Sequence, residues 1–287
     1  MEQVMFSIVV VCLNAGDKLL QTVESIRSQT CENYEIIVKD GVSADGSTGR
    51  LPGDDRIRLV VKKDTGIYDA MNQAIREVQG AYVYFLNCGD VFFDENVLAR
   101  AEEQMRAVRG NGGLKERDSH TGEGRERYIF YGDIRERKTG ERVASNPALD
   151  AFGCYRNVPC HQACFYAAEL MKEKGFEPKY KVRADYEHFL WCFFKGDAEM
   201  VYLPFVVADY EGGGFSETKE NRKRSAAEHK EITGIYMQKG QLIKYRTIML
   251  LTLAPLRTWI AGNKATARLY NRLKKKLYGQ RNAEEKE

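Results

Sequence analysis

The sequence predicts an α/β domain, with a mainly parallel central sheet flanked by helices and a basic helical tail at its carboxyl end. Three observations carry that expectation. Short apolar runs alternate with amphipathic stretches through the amino-terminal third, the rhythm of strand–helix crossovers. Asp, Asn and Gly cluster after these runs, as they do where parallel strands deliver a site to one edge of a sheet. The charge is also divided: no Asp or Glu lies between Ile232 and Ala283, a stretch holding eleven Lys and Arg. A formal net charge of +3 therefore conceals a body at −8 and a tail at +11.

Residues 6–13 (FSIVVVCL) form a continuous β-branched run, the pattern of a strand buried on both faces. It ends in Asn14, Ala15, Gly16 and Asp17, after which Leu19, Leu20, Val23 and Ile26 share one helical face. Residues 34–39 (YEIIVK) predict a second strand closed by Asp40-Gly41, and residues 57–61 a third, followed by a helix over 67–78. Residues 81–86 (AYVYFL) predict a fourth strand, stopped by Asn87-Cys88-Gly89-Asp90. After a helix over 95–108, residues 110–127 are polar, glycine-rich and aperiodic, and read as an inserted flexible loop. Strands at 128–134 and 163–166 and an aromatic helix over 185–194 complete a body expected to span residues 1–217, with a partly amphipathic tail over 218–287.

Composition excludes several classes. With 43% hydrophobic and 30% charged residues the chain is globular rather than disordered. No run reaches the length of a spanning helix, and no signal-peptide pattern opens the sequence. Seven cysteines, an odd number without regular spacing, point to a reducing compartment. The C-x5-C-H-x2-C arrangement of Cys154, Cys160, His161 and Cys164 matches no common zinc motif, so these and Cys192 are read as buried thiols. The turn after the first strand (NAGDKL) lacks the dinucleotide fingerprint, and neither a P-loop nor a G-x-S-x-G elbow occurs. What the strand ends offer instead is carboxylates: Asp40, Asp45, Asp64, Asp69 and Asp90. Such a set suits ribose and base recognition, and a hard cation bridging phosphates.

In order and spacing, SIVVVCLNAG, YEIIVKDGVSADGS, KKDTGIYDAMNQAI and GAYVYFLNCGD resemble the inverting glycosyltransferases of family 2. The likeness is greatest to the branch that builds bacterial capsule, exopolysaccharide and lipopolysaccharide chains. It is close over residues 6–94 and looser through YGDI, PCHQACFY and RADYEHFLW. The resemblance implies a GT-A-like nucleotide-diphospho-sugar transferase fold, with a nucleotide-binding half over residues 1–94 and an acceptor half over residues 128–217. It implies that Cys12, Leu13 and Asn14 seat the nucleobase and that Asp40, with Asp45 beside it, receives a hydrogen bond from the base. Gly66, Tyr68, Asp69, Asn72 and Asn87 are implied as donor contacts; the first four also read, from the residues alone, as a helix start with Asp64 or Thr65 as its cap.

Where many relatives carry Asp-x-Asp, this chain has Asn87-Cys88-Gly89-Asp90, which leaves Asp90 as the anionic ligand for Mg²⁺ or Mn²⁺ at the donor diphosphate. Asp185 matches the catalytic aspartate and is the expected general base. Glu187, about 200° away on the same helix, is the runner-up. Asp133, His161 and Gln162 are expected to line the cleft on the acceptor side.

The implied activity is transfer of a sugar from a nucleotide-diphosphate donor to a hydroxyl of a lipid-linked glycan in bacterial surface polysaccharide synthesis. A non-catalytic nucleotide-sugar-binding or scaffold protein and a sugar nucleotidyltransferase are the alternatives. Residues 248–256 (IMLLTLAPL) are apolar but too short to span, and basic residues flank them. Residues 244–281 are therefore expected to lie on an anionic membrane surface, placing the protein in the cytoplasm at the inner face of the membrane. Nucleic acid is not an expected partner, because no recognition motif accompanies the charge.

Overall fold

The structure, a computed structural model, describes residues 4–110, 127–212 and 218–252 of the 287-residue chain. The expected loop at 110–127 thus falls almost wholly outside the described residues. Two compact units divide the chain, residues 1–232 and residues 233–287. The first holds the sheet and every predicted site residue.

The elements begin β1 (Phe6–Cys12), α1 (Asp17–Arg27), β2 (Tyr34–Asp40), β3 (Ile57–Val61), α2 (Ile67–Ile75) and β4 (Tyr82–Phe85). They continue β5 (Val91–Phe92), α3 (Val97–Gly110), β6 (Tyr128–Glu136), β7 (Arg142–Val143), α4 (Ala151–Arg156), β8 (Cys164–Ala167) and α5 (Ala168–Glu173). α6 (Ala184–Phe194), β9 (Glu199–Tyr210), α7 (Lys219–Tyr236) and α8 (Lys239–Leu251) follow. β1 is buried at every position, as its unbroken apolar run requires, and Leu19, Val23 and Ile26 form the inward face of α1. Leu20, expected on that face, is only half-buried, and Thr22 takes the inward position instead, donating to the carbonyl of Asp90 at 2.8 Å.

The sheet has nine strands in the order β3-β2-β1-β4-β8-β6-β9-β5, with β7 paired to β6. Its first four strands are parallel, as the crossovers predicted. The remainder is mixed: β8 runs antiparallel to β4 and β6, and β5 antiparallel to β9, while β6 and β9 are parallel. The expected mainly parallel sheet is corrected to that extent. β8 reaches the sheet through α4 and a short 3₁₀ turn at His161–Ala163, and it enters beside β4 from the end at which β4 leaves.

This topology locates the site. Because β8 is reversed, its amino end lies at the same sheet edge as the carboxyl ends of β1, β2, β3, β4 and β6. The β6–β9 ladder is irregular at Asp133, where Gly132 permits close approach: a Cβ there would meet the carbonyl oxygen of Phe205 at 2.7 Å. α7 joins the body more closely than a tail would. Its Glu228 accepts hydrogen bonds from the backbone N–H groups of Lys181, Val182 and Arg183, and its Glu231 accepts one from the Tyr180 hydroxyl. The division between the units accordingly lies within α7, beyond the boundary expected at 217/218. Among the described residues no helix is long and apolar enough to cross a membrane.

Candidate functional site

The loops after β1 and β2 form a rim whose polar groups bind one another. Asp40, 2% exposed, accepts hydrogen bonds from the backbone N–H of Ser43 at 3.0 Å, from its hydroxyl at 2.5 Å, and from the Cys12 thiol at 3.5 Å. Asn14, at φ 50°, accepts from the N–H of Ala44 at 2.8 Å, while its own N–H donates to Ser43. Asp45 accepts from Ser47 and from the N–H of Gly16, and these bonds hold its carboxyl below the ordinary value. The Cys12 thiol is pushed up, first by its hydrogen bond with Cys88 and then by burial. Leu13 projects outward, 59% exposed.

Lys39 was missed by sequence reasoning, although a lysine inside a buried run was a legible signal. Completely buried, its ammonium donates to the carbonyls of Asp40 and Lys62 and to Asp64, tying the end of β2 to the loop after β3. That loop leads into α2 through Gly66 at φ 139°, a conformation glycine tolerates and other residues rarely adopt. Gly66 itself, rather than Asp64 or Thr65, occupies the N-cap position, and no side chain caps the helix. Asp64 instead accepts from the N–H of Gly66, and Asp69 from the N–H and hydroxyl of Thr65.

A cavity of about 1310 Å³ opens beside this turn. Gly66, Tyr68, Asp69, Asn87, Asp90, His161, Gln162 and Asp185 line it, whereas Cys12, Leu13, Asn14, Asp40 and Asp45 lie outside its lining. Tyr68 reaches from α2 to α6, its hydroxyl 3.0 Å from both Asp185 Oδ1 and the carbonyl of Val182. Burial, then the Asp185 charge, push the Tyr68 phenol well up, so it stays a proton donor. Asp185, in the first turn of α6, faces the cavity half-buried.

Asp90 is 3% exposed. It accepts from the N–H of Glu211 at 2.8 Å and from the Gln162 amide at 3.0 Å. Burial raises its carboxyl above the usual range despite those bonds, because the charged form loses water. Glu211 beside it pairs with Lys18 at 2.6 Å and, like Lys18, had no motif to mark it. The buried amide oxygen of Asn87 has no hydrogen-bond partner among the described residues, which is a cost unless a ligand relieves it. His161 is similar. Stacked on Phe85 at 4.9 Å and edge-on to Phe176, it has no partner at either ring nitrogen among the described residues, and burial lowers its pKa so that the ring is neutral.

Three expected site residues have other duties. Glu187 is buried in an ion pair with Lys174 at 2.5 Å, on a face of α6 away from the cavity lining. Asn72 clasps the backbone of Phe176, donating to its carbonyl and accepting from its N–H at 2.8 Å each, so it does not line the main cavity. Asp133, fully buried, accepts from Arg142, from the N–H of Ser145 at 2.8 Å and from the Tyr202 hydroxyl at 3.1 Å. It thereby fixes the segment carrying Val143, Ser145 and Asn146 to the cavity wall without lining that wall itself. All seven cysteines are free thiols, and no cluster of three or more His, Cys, Asp or Glu that could hold a metal exists among the described residues.

The protein-family model for glycosyl transferase family 2 matches residues 7–156. The PGL/p-HBAD biosynthesis glycosyltransferase of Mycobacterium bovis (strain BCG / Pasteur 1173P2) is 32% identical over 230 residues, covering 77% of this chain and 83% of that protein. Among solved structures, S. aureus TarS 1–349 in complex with UDP-GlcNAc aligns with TM-score 0.58 at 14% identity, over 83% of this chain and 69% of that one. Against a longer TarS chain this protein spans 42% of its length. The mannosyltransferase PcManGT from Pyrobaculum calidifontis, in complex with GDP-Man and Mn²⁺, aligns with TM-score 0.50 at 15% identity, over 88% and 82%. These structural likenesses show the shared GT-A fold. With the family model matched over half its length and a relative of 32% identity across most of both chains, this protein is a transferase that belongs to glycosyl transferase family 2.

Proposed function

We propose that the protein is an inverting glycosyltransferase that moves a sugar from a nucleotide-diphosphate donor to a hydroxyl of a lipid-linked glycan, in bacterial surface polysaccharide synthesis. The observation that carries this reading is the placement of Asp185 on the same cavity as Asn87 and Asp90, on a different element and held by Tyr68. Asp185 takes the proton of the acceptor hydroxyl as its oxygen attacks the anomeric carbon. The bond from that carbon to the donor phosphate breaks, the nucleoside diphosphate leaves with the electron pair, and the anomeric configuration inverts. One base is sufficient for this single displacement.

The donor set suits a hard divalent cation shared with a diphosphate. Asp90 supplies a buried carboxylate and Asn87 an unpartnered amide oxygen, too few ligands to hold the ion alone. Mg²⁺ or Mn²⁺ there would neutralise charge on the leaving diphosphate. The complex of the Pyrobaculum mannosyltransferase with GDP-Man and Mn²⁺ supports the same assignment. The rim at Asn14 and Asp40 is the proposed base-binding end, although its carboxylate already holds Ser43. His161 would meet a hydroxyl of the sugar or acceptor through its unpartnered ring nitrogens.

Peripheral attachment to the inner face of the membrane accompanies this reading. On α8, Ile243, Leu250 and Leu251 are exposed together with Lys244 and Arg246, a combination suited to anionic lipid. The remainder of the proposed contact, residues 253–281, lies outside the described residues. A thermal-shift panel of UDP-, GDP- and dTDP-sugars with and without Mn²⁺ tests the donor assignment. One nucleotide series should raise Tm, and more so with the cation. No shift from any of them would remove the donor site.

A further inference from the structure

Asp185 has one carboxylate oxygen committed and one open. The Tyr68 hydroxyl lies 3.0 Å from its Oδ1 and 3.0 Å from the carbonyl oxygen of Val182, so one proton faces two acceptors. A charged oxygen is the stronger acceptor, and the proton goes to Oδ1 while Asp185 is ionised. Oδ2 has no hydrogen-bond partner among the described residues. The alternative acceptor is fixed as well, because the Val182 N–H donates to the buried Glu228 at 3.1 Å.

Tyr68 is held from its own side too. Its ring lies 5.5 Å from that of Phe176, and Asn72, one turn further along α2, clasps the Phe176 backbone with two bonds of 2.8 Å. Phe176 in turn packs edge-on against Phe85 at 5.3 Å and His161 at 5.6 Å. The family resemblance marked Tyr68 and Asn72 as donor contacts, whereas their bonds run to α6, which carries the base, and to the segment that precedes it.

Other groups act on Asp185 through charge alone. Cys160 and His161 on the turn before β8, and Cys164 and Tyr166 on β8, interact electrostatically with it; Arg183 stands two residues before it, and Glu228 on α7 acts on Tyr68. Tyr68 is the one side chain among the described residues that hydrogen-bonds to the carboxylate. We propose that Tyr68 is a positioning residue for the base: its phenol proton pins Oδ1 and leaves Oδ2 to take the proton of the acceptor hydroxyl. The inference rests on the reading of Asp185 as the base and adds the group that aims it. Tyr68 gives up no proton in the step. The acceptor proton moves to Oδ2, Asp185 becomes neutral, and the Tyr68 hydroxyl is then free to turn to the Val182 carbonyl. Such a bond favours the ionised carboxylate, so it trades some basicity for a fixed direction.

The test uses the full chain with ¹³C at the side-chain carboxyl carbon of aspartate, followed by NMR across pH. The resonance missing from Asp185→Asn is that of Asp185. In Tyr68→Phe, which keeps the ring and its packing, the pH at which this resonance moves should rise by about 0.5 to 1 unit, because a bond to the charged form is lost. Replacing Tyr68 by 3-fluorotyrosine keeps the hydroxyl and makes it a stronger donor, so the resonance should move at lower pH than in the parent. Nucleotide affinity should stay within about two-fold in both proteins. With water as the acceptor, release of nucleoside diphosphate from the nucleotide-sugar chosen by the thermal-shift panel should fall about 5- to 10-fold in Tyr68→Phe. A resonance that moves at one pH in all three proteins would overturn the proposal. Loss of nucleotide affinity beyond about 10-fold in Tyr68→Phe would also overturn it, by returning Tyr68 to the donor. Release at the parental rate by Asp185→Asn is a separate result: it refutes the base reading, while the shifted resonance still reports the bond from Tyr68.

Discussion

The rim after β1 and β2 and the wall formed by α4, the entry to α6 and the start of α7 are opposites in one respect. On the rim, Asp40, Asp45 and Asn14 bond to the backbone and hydroxyls of neighbouring turns. On the wall, Arg156, Lys181 and Arg224 are exposed and have no ionic partner among the described residues, and the buried ring of His161, on the turn after α4, has no hydrogen-bond partner among them at either nitrogen. A polar group already bonded within the protein sets shape, whereas a buried one without a partner is an energetic debt that a ligand can relieve. The rim is therefore a preformed mould, and the wall is where binding adds interactions.

This contrast predicts a ranking of substitutions. Asp185→Asn removes the base but keeps the bond from Tyr68, so transfer should fall by about 10²- to 10⁴-fold while nucleotide affinity is retained. Steady-state rates beside nucleotide titrations read both quantities, and an unaffected rate would return Asp185 to a structural role. Asp133→Asn should act on stability instead, because it weakens the hydrogen bonds that a fully buried carboxylate accepts from Arg142, Ser145 and Tyr202; a loss of about 1–3 kcal/mol in urea unfolding is expected. If Asp133→Asn were as stable as the parent but inactive, the assignment of Asp133 as a support would fail.

A smaller effect concerns pH. His188, fully buried beside Tyr166 and Phe176, has its pKa pushed down to about 3, chiefly by burial. Its folded form resists a proton that the unfolded chain accepts below the ordinary value of 6.5, so stability should be complete above that pH and decline as pH falls from 6.5 toward 3. Tm measured across this window should drop on the acid side, and His188→Phe should flatten the slope. At Asp90 the pKa shift runs the other way, upward. Its raised carboxyl keeps a proton to higher pH than a free aspartate, so cation affinity should rise with pH through a midpoint above 3.8.

The sequence made the parallel half legible because its signals are local. Residues 6–13 and 81–86 are continuous apolar runs, and such runs become central strands whatever else the chain does. Reversal of β8 was not legible, since strand direction depends on the turn through His161 rather than on the composition of CFYA. In the site, Asp90, Asp185, Tyr68 and His161 were named from the family resemblance and do share one cavity. Asn72 and Glu187 were misplaced because their partners, Phe176 and Lys174, are set by folding rather than by neighbours in sequence. The cationic wall escaped notice for the same reason: Arg156, Lys181 and Arg224 are far apart in the chain and carry no motif.

The central claim is a single displacement driven by one base, and the configuration of the product tests it most directly. With the nucleotide-sugar that supports transfer, proton NMR of the product glycoside reports the anomeric configuration through its coupling constant. The account predicts inversion: a donor with an α linkage gives a β glycoside from the first turnover onward. A product that keeps the donor's configuration would require a second nucleophile in the cavity and would contradict the role assigned to Asp185.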